Sequence, residues 1–269
     1  MAGSSLPPLR LAVLQPSISV VIEELGRLDA IAACTRYCLE SVPALREREV
    51  KVIADSWSST TDEILSAKPN LVLASVPYRL ESLAAILKSG CPVITLAPHC
   101  LGDIYLDIRL LGSILHANDE AETLVAKMLQ RIEDVQRIAP GAPTRPTVYC
   151  EEWGNPLIHS QGWVAELVSA AGANFLGSPG AVTRPEAIAE ADPDVLVFAW
   201  CGAGDRVPLA RVIEMRHWEQ LRAVRERRVY CVPDHLLNTP ASNLLQGLEA
   251  LAACIHPEIF DPVAGVRTL

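Results

Sequence analysis

One stretch occurs twice, and it limits the folds open to this chain. The first copy runs Asp62-Glu63-Ile64-Leu65-Ser66-Ala67-Lys68-Pro69-Asn70-Leu71-Val72-Leu73. The second runs Glu186-Ala187-Ile188-Ala189-Glu190-Ala191-Asp192-Pro193-Asp194-Val195-Leu196-Val197. Each reads acid, any residue, Ile, two residues, Ala, one residue, Pro, Asn or Asp, then an aliphatic run. Proline ends the helix that precedes it, and Asn or Asp suits the turn that follows. An aliphatic run without polar alternation suits a strand covered on both faces, as in a parallel sheet. The copies are too far apart for a solenoid repeat, so they predict two similar α/β lobes.

The rest of the chain fits that reading. Short aliphatic runs at 9–14, 30–33, 71–74 and 92–96 alternate with helical stretches, which predicts a parallel sheet with crossover helices. Asn118 or Asp119 starts the longest helical pattern, with apolar Leu124, Met128, Ile132 and Val135. It ends before Pro140-Gly141-Ala142-Pro143. A second series of strands begins at Thr147-Val148-Tyr149-Cys150, with a loop expected over 151–156. Helices are expected over Gly162–Ala171, Val207–Met215, His217–Glu226 and Ala241–Ile255. The expected divisions are an N-terminal lobe over 1–115, a connecting helix over 116–140 and a C-terminal lobe over 141–269.

With 269 residues, half of them hydrophobic, there is material for two cores. A net charge of −9 argues against nucleic acid as a partner. No apolar run approaches the length of a membrane span, and Met1 to Pro8 lacks the features of a signal peptide. The chain as written is therefore expected to be cytoplasmic and monomeric. One whose leader had been removed would belong outside the cytoplasmic membrane. Eight cysteines without a CxxC pair are expected to be reduced, and most of them buried.

Taken together, the strand leading to Pro16-Ser17, the two repeat copies, the long middle helix and the Glu152-Trp153…Gly162-Trp163-Val164 segment carry a resemblance. From about Leu9 to Ile255 the chain resembles the metal-chelate receptors of ABC importers, and within them the cobalamin-binding branch. The resemblance implies two Rossmann-like lobes with parallel sheets, joined by a long connecting helix, with the ligand in a cleft between the lobes. It implies binding without catalysis and no intrinsic cofactor. The ligand would be cobalamin or another metal chelate, such as a corrinoid, haem or a siderophore. Tyr37 and Trp57 fall where that branch places aromatics against the corrin ring, Trp153 and Trp200 fall in matching strand-end loops, and Asp234 falls where an acid meets the polar edge of the ligand. Asp62 and Glu186 match the acids that dock on arginines of an ABC permease, although ordinary helix N-terminal acids would look the same.

Tyr78 and His235 complete the set of expected ligand contacts, because ligands of parallel α/β sheets lie outside the carboxyl ends of the strands. The alternative for any of these aromatics is a plug against its own core. A second reading remains open: an intracellular metal-handling protein or enzyme that uses Cys38, Cys150, Glu152, His159, Cys201 or His235. No two of these stand at a metal-clamp spacing, so no metal site is assigned. Nucleophile elbows and phosphate-binding glycine motifs are absent.

Overall fold

The computed structural model describes residues 8–55, 58–75, 80–139 and 145–269. They form two compact units. The first is Met1–Pro98 with Asp103–Val125; the second is His99–Gly102 with Ala126–Leu269.

The first unit alternates strictly. Its elements are β1 (Leu11–Val13), α1 (Pro16–Glu24), β2 (Ile31–Thr35), α2 (Arg36–Ser41), β3 (Lys51–Ile53), α3 (Thr61–Leu65), β4 (Leu71–Ser75), α4 (Leu80–Lys88) and β5 (Val93–Leu96). The strands lie in the order β3-β2-β1-β4-β5, and every pair is parallel. β1 and β4 sit at the centre with every residue buried, as their unbroken apolar runs require. Pro16 takes the first position of α1, where its missing N–H costs nothing. Ser17 and Ser19 therefore lie inside that helix and not at its cap.

Next come α5 (Leu101–Ile114) and α6 (Asn118–Ile138). In α6, Leu124, Met128, Ile132 and Val135 are all buried, as their helical spacing predicts. Its first turn meets Arg27 through Glu120 at 3.1 Å, and Arg131 further along meets Glu249 at 2.7 Å. Both pairs are partly exposed, so each contributes little beyond geometry.

The second unit comprises β6 (Thr147–Gly154), β7 (Leu157–His159), α7 (Gly162–Ala170), β8 (Asn174–Phe175), β9 (Val182–Thr183), α8 (Pro185–Ala191), β10 (Val195–Phe198), α9 (Leu209–Arg216), α10 (Arg222–Arg225), β11 (Val229–Cys231), α11 (Leu244–Ile255) and β12 (Arg267–Thr268). The sheet order is β12-β11-β10-β6-β7-β9, and β8 also pairs with β6. The expected parallel pairs β6–β10 and β10–β11 are present. Antiparallel strands extend both sides, with β12 on β11, and β7 and β9 beyond β6. The loop expected over 151–156 is instead the end of β6 plus a tight turn into β7. Residues 151–154 find a partner in Leu157–His159, a run too short to stand out in the sequence. The helix expected over His217–Glu226 shrinks to α10, because His217 takes a left-handed conformation (φ 56°) and closes α9.

The repeat now has a physical explanation. Lys68 and Asp192, each just before the proline, both have positive φ (51° and 41°). The chain thus reverses at the same point in each copy. One residue past the proline, Asn70 Oδ1 accepts from the Arg10 N–H at 2.8 Å, and Asp194 Oδ2 accepts from the Thr147 N–H at 2.8 Å. The backbone answers in kind: Asn70 N–H donates to Arg10 O and Asp194 N–H to Thr147 O, each at 2.9 Å. In both units the Asn or Asp after the proline fastens the start of the neighbouring central strand, β1 or β6. Among the described residues, no helix is long and apolar enough to cross a membrane.

Candidate functional site

Most of the described candidates lie at or just after the carboxyl ends of strands. In the first unit β2 ends at Thr35, whose Oγ1 accepts from the Cys38 N–H and starts α2. Tyr37 follows on the first turn, half-exposed. Arg36 donates to its hydroxyl at 2.7 Å and lies 4.7 Å above its ring. Cys38 is fully buried, with Sγ 3.3 Å from Thr35 Oγ1. The neighbouring Cys34 thiol brings Cys38 down to about 7, and the same contact pushes Cys34 up. Asp62 is exposed on the first turn of α3. Its neighbour Glu63 accepts from the Ala54 N–H at 2.8 Å. Trp57 and Tyr78 lie outside the described residues.

In the second unit, β6 and β10 carry the candidates. Trp153 is 45% exposed, and its indole N–H reaches only back to Asn155 O at 2.9 Å. Trp200, just past β10, is partly exposed. Its indole N–H donates at 2.7 Å to Oε1 of Glu151, a carboxylate with no exposure at all. That carboxylate has three further donors: Tyr149 Oη at 2.5 Å, Arg216 Nη1 at 2.7 Å and Arg216 Nη2 at 2.9 Å. The guanidinium lies 4.8 Å from the Trp218 ring and 5.8 Å from the Phe198 ring. Burial and the Glu151 charge push the Tyr149 phenol up, which keeps it a donor.

Glu152, next along β6, accepts from Gln161 Nε2 at 2.8 Å, and burial raises its pKa. Cys201 is exposed, one of the minority in a set expected to be mostly buried. Crowding by protein, then the charges of Glu152 and Asp234, push its thiol up to about 12. Asn238 donates to its sulfur at 3.3 Å. Asp234 is committed to the backbone, accepting from Gly202 N–H at 2.7 Å and Gly204 N–H at 3.0 Å. His235 is exposed on the next residue, and its carbonyl accepts from Asn243. Glu186 is exposed on the first turn of α8, the position that matches Asp62 in α3.

The structure therefore brings Trp200, Cys201, Glu152 and Asp234 together and leaves other donors elsewhere. Cys150 is buried in the sheet, and burial raises its thiol. His159 is 4% exposed and stacks edge-on to Tyr149 at 5.3 Å, and burial lowers its pKa. Among the described residues no three His, Cys, Asp or Glu side chains could hold a metal ion. Sequence reading singled out Glu152 and missed Glu151, Arg216 and Gly154. The strand period offered one signal, since Tyr149 and Glu151 share a face. Arg216 had none, being distant in sequence from its partner.

A family model described as periplasmic binding protein matches residues 11–236. An uncharacterised ABC transporter substrate-binding lipoprotein, YvrC of Bacillus subtilis, is 24% identical over 265 residues, covering 94% of this chain and 82% of that protein. A cobalamin-binding protein of Halobacterium salinarum is 21% identical over 258 residues, covering 93% and 70%. Among solved structures, a periplasmic haem-binding protein of Pseudomonas aeruginosa superposes with a TM-score of 0.83 at 20% identity, covering 98% of this chain and 95% of that one. At that identity the superposition speaks for the fold alone.

Proposed function

This chain belongs to the periplasmic binding protein family, and from that premise we propose that its ligand is a metal chelate with a flat macrocycle, cobalamin or haem in type. The chain binds and hands on this ligand without transforming it. The observation that carries the reading is the pair Trp153 and Trp200, both open to solvent at the carboxyl ends of β6 and β10, in a chain with only 5% aromatic residues. Indole faces at strand ends suit a flat, largely apolar ring, and polar groups beside them suit its edge. Tyr37, half-exposed at the end of β2, is the counterpart in the first unit. Trp57 and Tyr78 join the proposed wall on sequence grounds. Asp234 acts by shaping the 201–205 turn, and His235 offers an imidazole at the rim.

The kind of relative named above supports a place outside the cytoplasmic membrane and delivery to an ABC permease. Asp62 and Glu186 are the proposed docking acids, exposed at equivalent positions of the two repeat copies. The proposed division into lobes follows the connecting helix, with 1–115 before it and 141–269 after it. The competing metal-handling reading draws little support, since Cys38, Cys150 and His159 are buried.

The test is a titration of the protein with cyanocobalamin, dicyanocobinamide, haemin and a ferric siderophore, read by tryptophan emission and the visible band. Saturable quenching by at least one of the three macrocycles is expected. A response to none of them, or to the siderophore alone, would remove the reading.

A further inference from the structure

We infer that Glu151 and Gly154 form a seat that sets the tilt of the Trp200 ring, and that this tilt helps determine which chelate is accepted. The inference rests on the proposed ligand reading, but the seat itself can be tested without any ligand.

Two independent contacts define the seat. The first is the hydrogen bond from the indole N–H to Glu151 Oε1, at 2.7 Å. Its acceptor cannot swing, because the same carboxylate is held by Tyr149 Oη and by both terminal nitrogens of Arg216. Arg216 also reaches Gly154 O at 3.3 Å, so the guanidinium ties the acceptor to the strand that carries it. The second contact is steric. A Cβ placed on Gly154 would stand 2.4 Å from Trp200 Cζ2 and 2.7 Å from Cε2. The bare backbone at 154 is therefore the floor on which the ring lies, and Phe198 closes one side edge-on at 6.4 Å. Gly154 does not have positive φ, so backbone strain does not account for glycine there.

A buried ion pair is a poor device for stability alone, since well-packed apolar groups of similar size often serve as well. Its advantage is fixed direction, because two planar groups joined by parallel hydrogen bonds hold a third in one orientation. Here the third group is a ring that stays partly open to solvent at a strand end.

Three variants separate the seat from general packing. Gly154→Ala lifts the ring and leaves the ion pair intact. Glu151→Met with Arg216→Met removes the acceptor and its counter-charge together. Glu151→Gln with Arg216→Met removes the charges but keeps an oxygen that can accept the indole N–H. The readouts are the dissociation constants for cyanocobalamin and haemin and the ¹⁵N-indole resonance of Trp200, identified by its loss in Trp200→Phe.

The Gly154→Ala and Met/Met proteins should lose affinity for the preferred chelate by roughly tenfold or more and change the ratio between chelates, as misplaced contacts do. Their Trp200 resonance should move, whereas the Gln/Met protein should stay near wild type in affinity and in the ratio between chelates. Wild-type binding and an unmoved Trp200 resonance in Gly154→Ala would overturn the inference, and that variant decides alone if the Met/Met protein does not fold. If the wild type binds none of the three macrocycles of the titration above, the ligand reading fails separately, and the resonance alone then judges the seat: a shift in Gly154→Ala upholds it and no shift overturns it.

Discussion

Replacing Arg216 with Met should be among the most damaging single changes in the second unit. The guanidinium side chain is 9% exposed and its partner Glu151 is not exposed at all. Removing it strips two of the four donors from a buried carboxylate and takes a donor from Gly154 O. Breaking such a pair from one side costs about 3–5 kcal/mol, because a buried charge is left without its partner. Against a total stability of about 5–15 kcal/mol, that is a large fraction. The assay is urea denaturation followed by tryptophan emission, which suits this unit because Trp153, Trp163, Trp200 and Trp218 all lie within it. At a slope of about 1–3 kcal/mol per molar urea, the midpoint should fall by roughly 1 M or more. Adding Glu151→Met should restore much of the loss, so the two changes should be non-additive by about 2 kcal/mol or more. A single-variant cost under about 1 kcal/mol, or simple additivity, would refute the reasoning.

Other consequences follow from groups elsewhere in the chain. The Asp107 carboxyl is pushed up to about 6, first by burial and then by Asp103. A raised acid favours the folded state fully only below its ordinary pKa, and that contribution is lost as pH rises through about 6. Asp107→Asn should thus stabilise by on the order of 1 kcal/mol at pH 7.5, after allowing for solvent screening of a partly exposed group, and the gain should vanish near pH 4. Equal effects at both pH values in urea melts would contradict this. Cys201 is exposed yet has its thiol held up to about 12. Iodoacetamide at pH 8 should label it roughly a hundredfold or more slower than a free thiol, the rate rising with pH, as peptide mapping would show. Labelling at the free-thiol rate would count against that crowding. Asp234→Ala removes two charge-assisted bonds to the 202–204 backbone and should cost about 2 kcal/mol, with faster amide exchange at Gly202 and Gly204. Unchanged exchange there would show that the turn holds without it.

Much of the fold was legible because its cause is local. The proline of each repeat ends a helix and the aliphatic run after it is a strand, so the motif is visible in the sequence. The strand that the Asn or Asp fastens, β1 or β6, lies 60 or 47 residues away and shows only in the hydrogen bonds. Helix α6 was legible through the spacing of four apolar residues that all proved buried. The short strands β7, β8, β9 and β12 were not, since runs of two or three residues owe their form to a neighbour and not to their own pattern. The site shows the same division. Trp153 and Trp200 stood out as rare residues after strands, whereas Glu151 and Arg216 are 65 positions apart and meet only in the folded unit. His159 resembled a candidate donor, but pairing of β7 with β6 turns it into the core.

The central claim is that a chelate rests against the strand-end indoles of the second unit. The most direct test is the ¹⁵N-indole spectrum of the protein with and without saturating cyanocobalamin or haemin. Trp153 and Trp200 should shift or broaden, while Trp163 and Trp218, 5% and 1% exposed, should hold their positions. Saturable binding that leaves Trp153 and Trp200 unmoved would contradict the account.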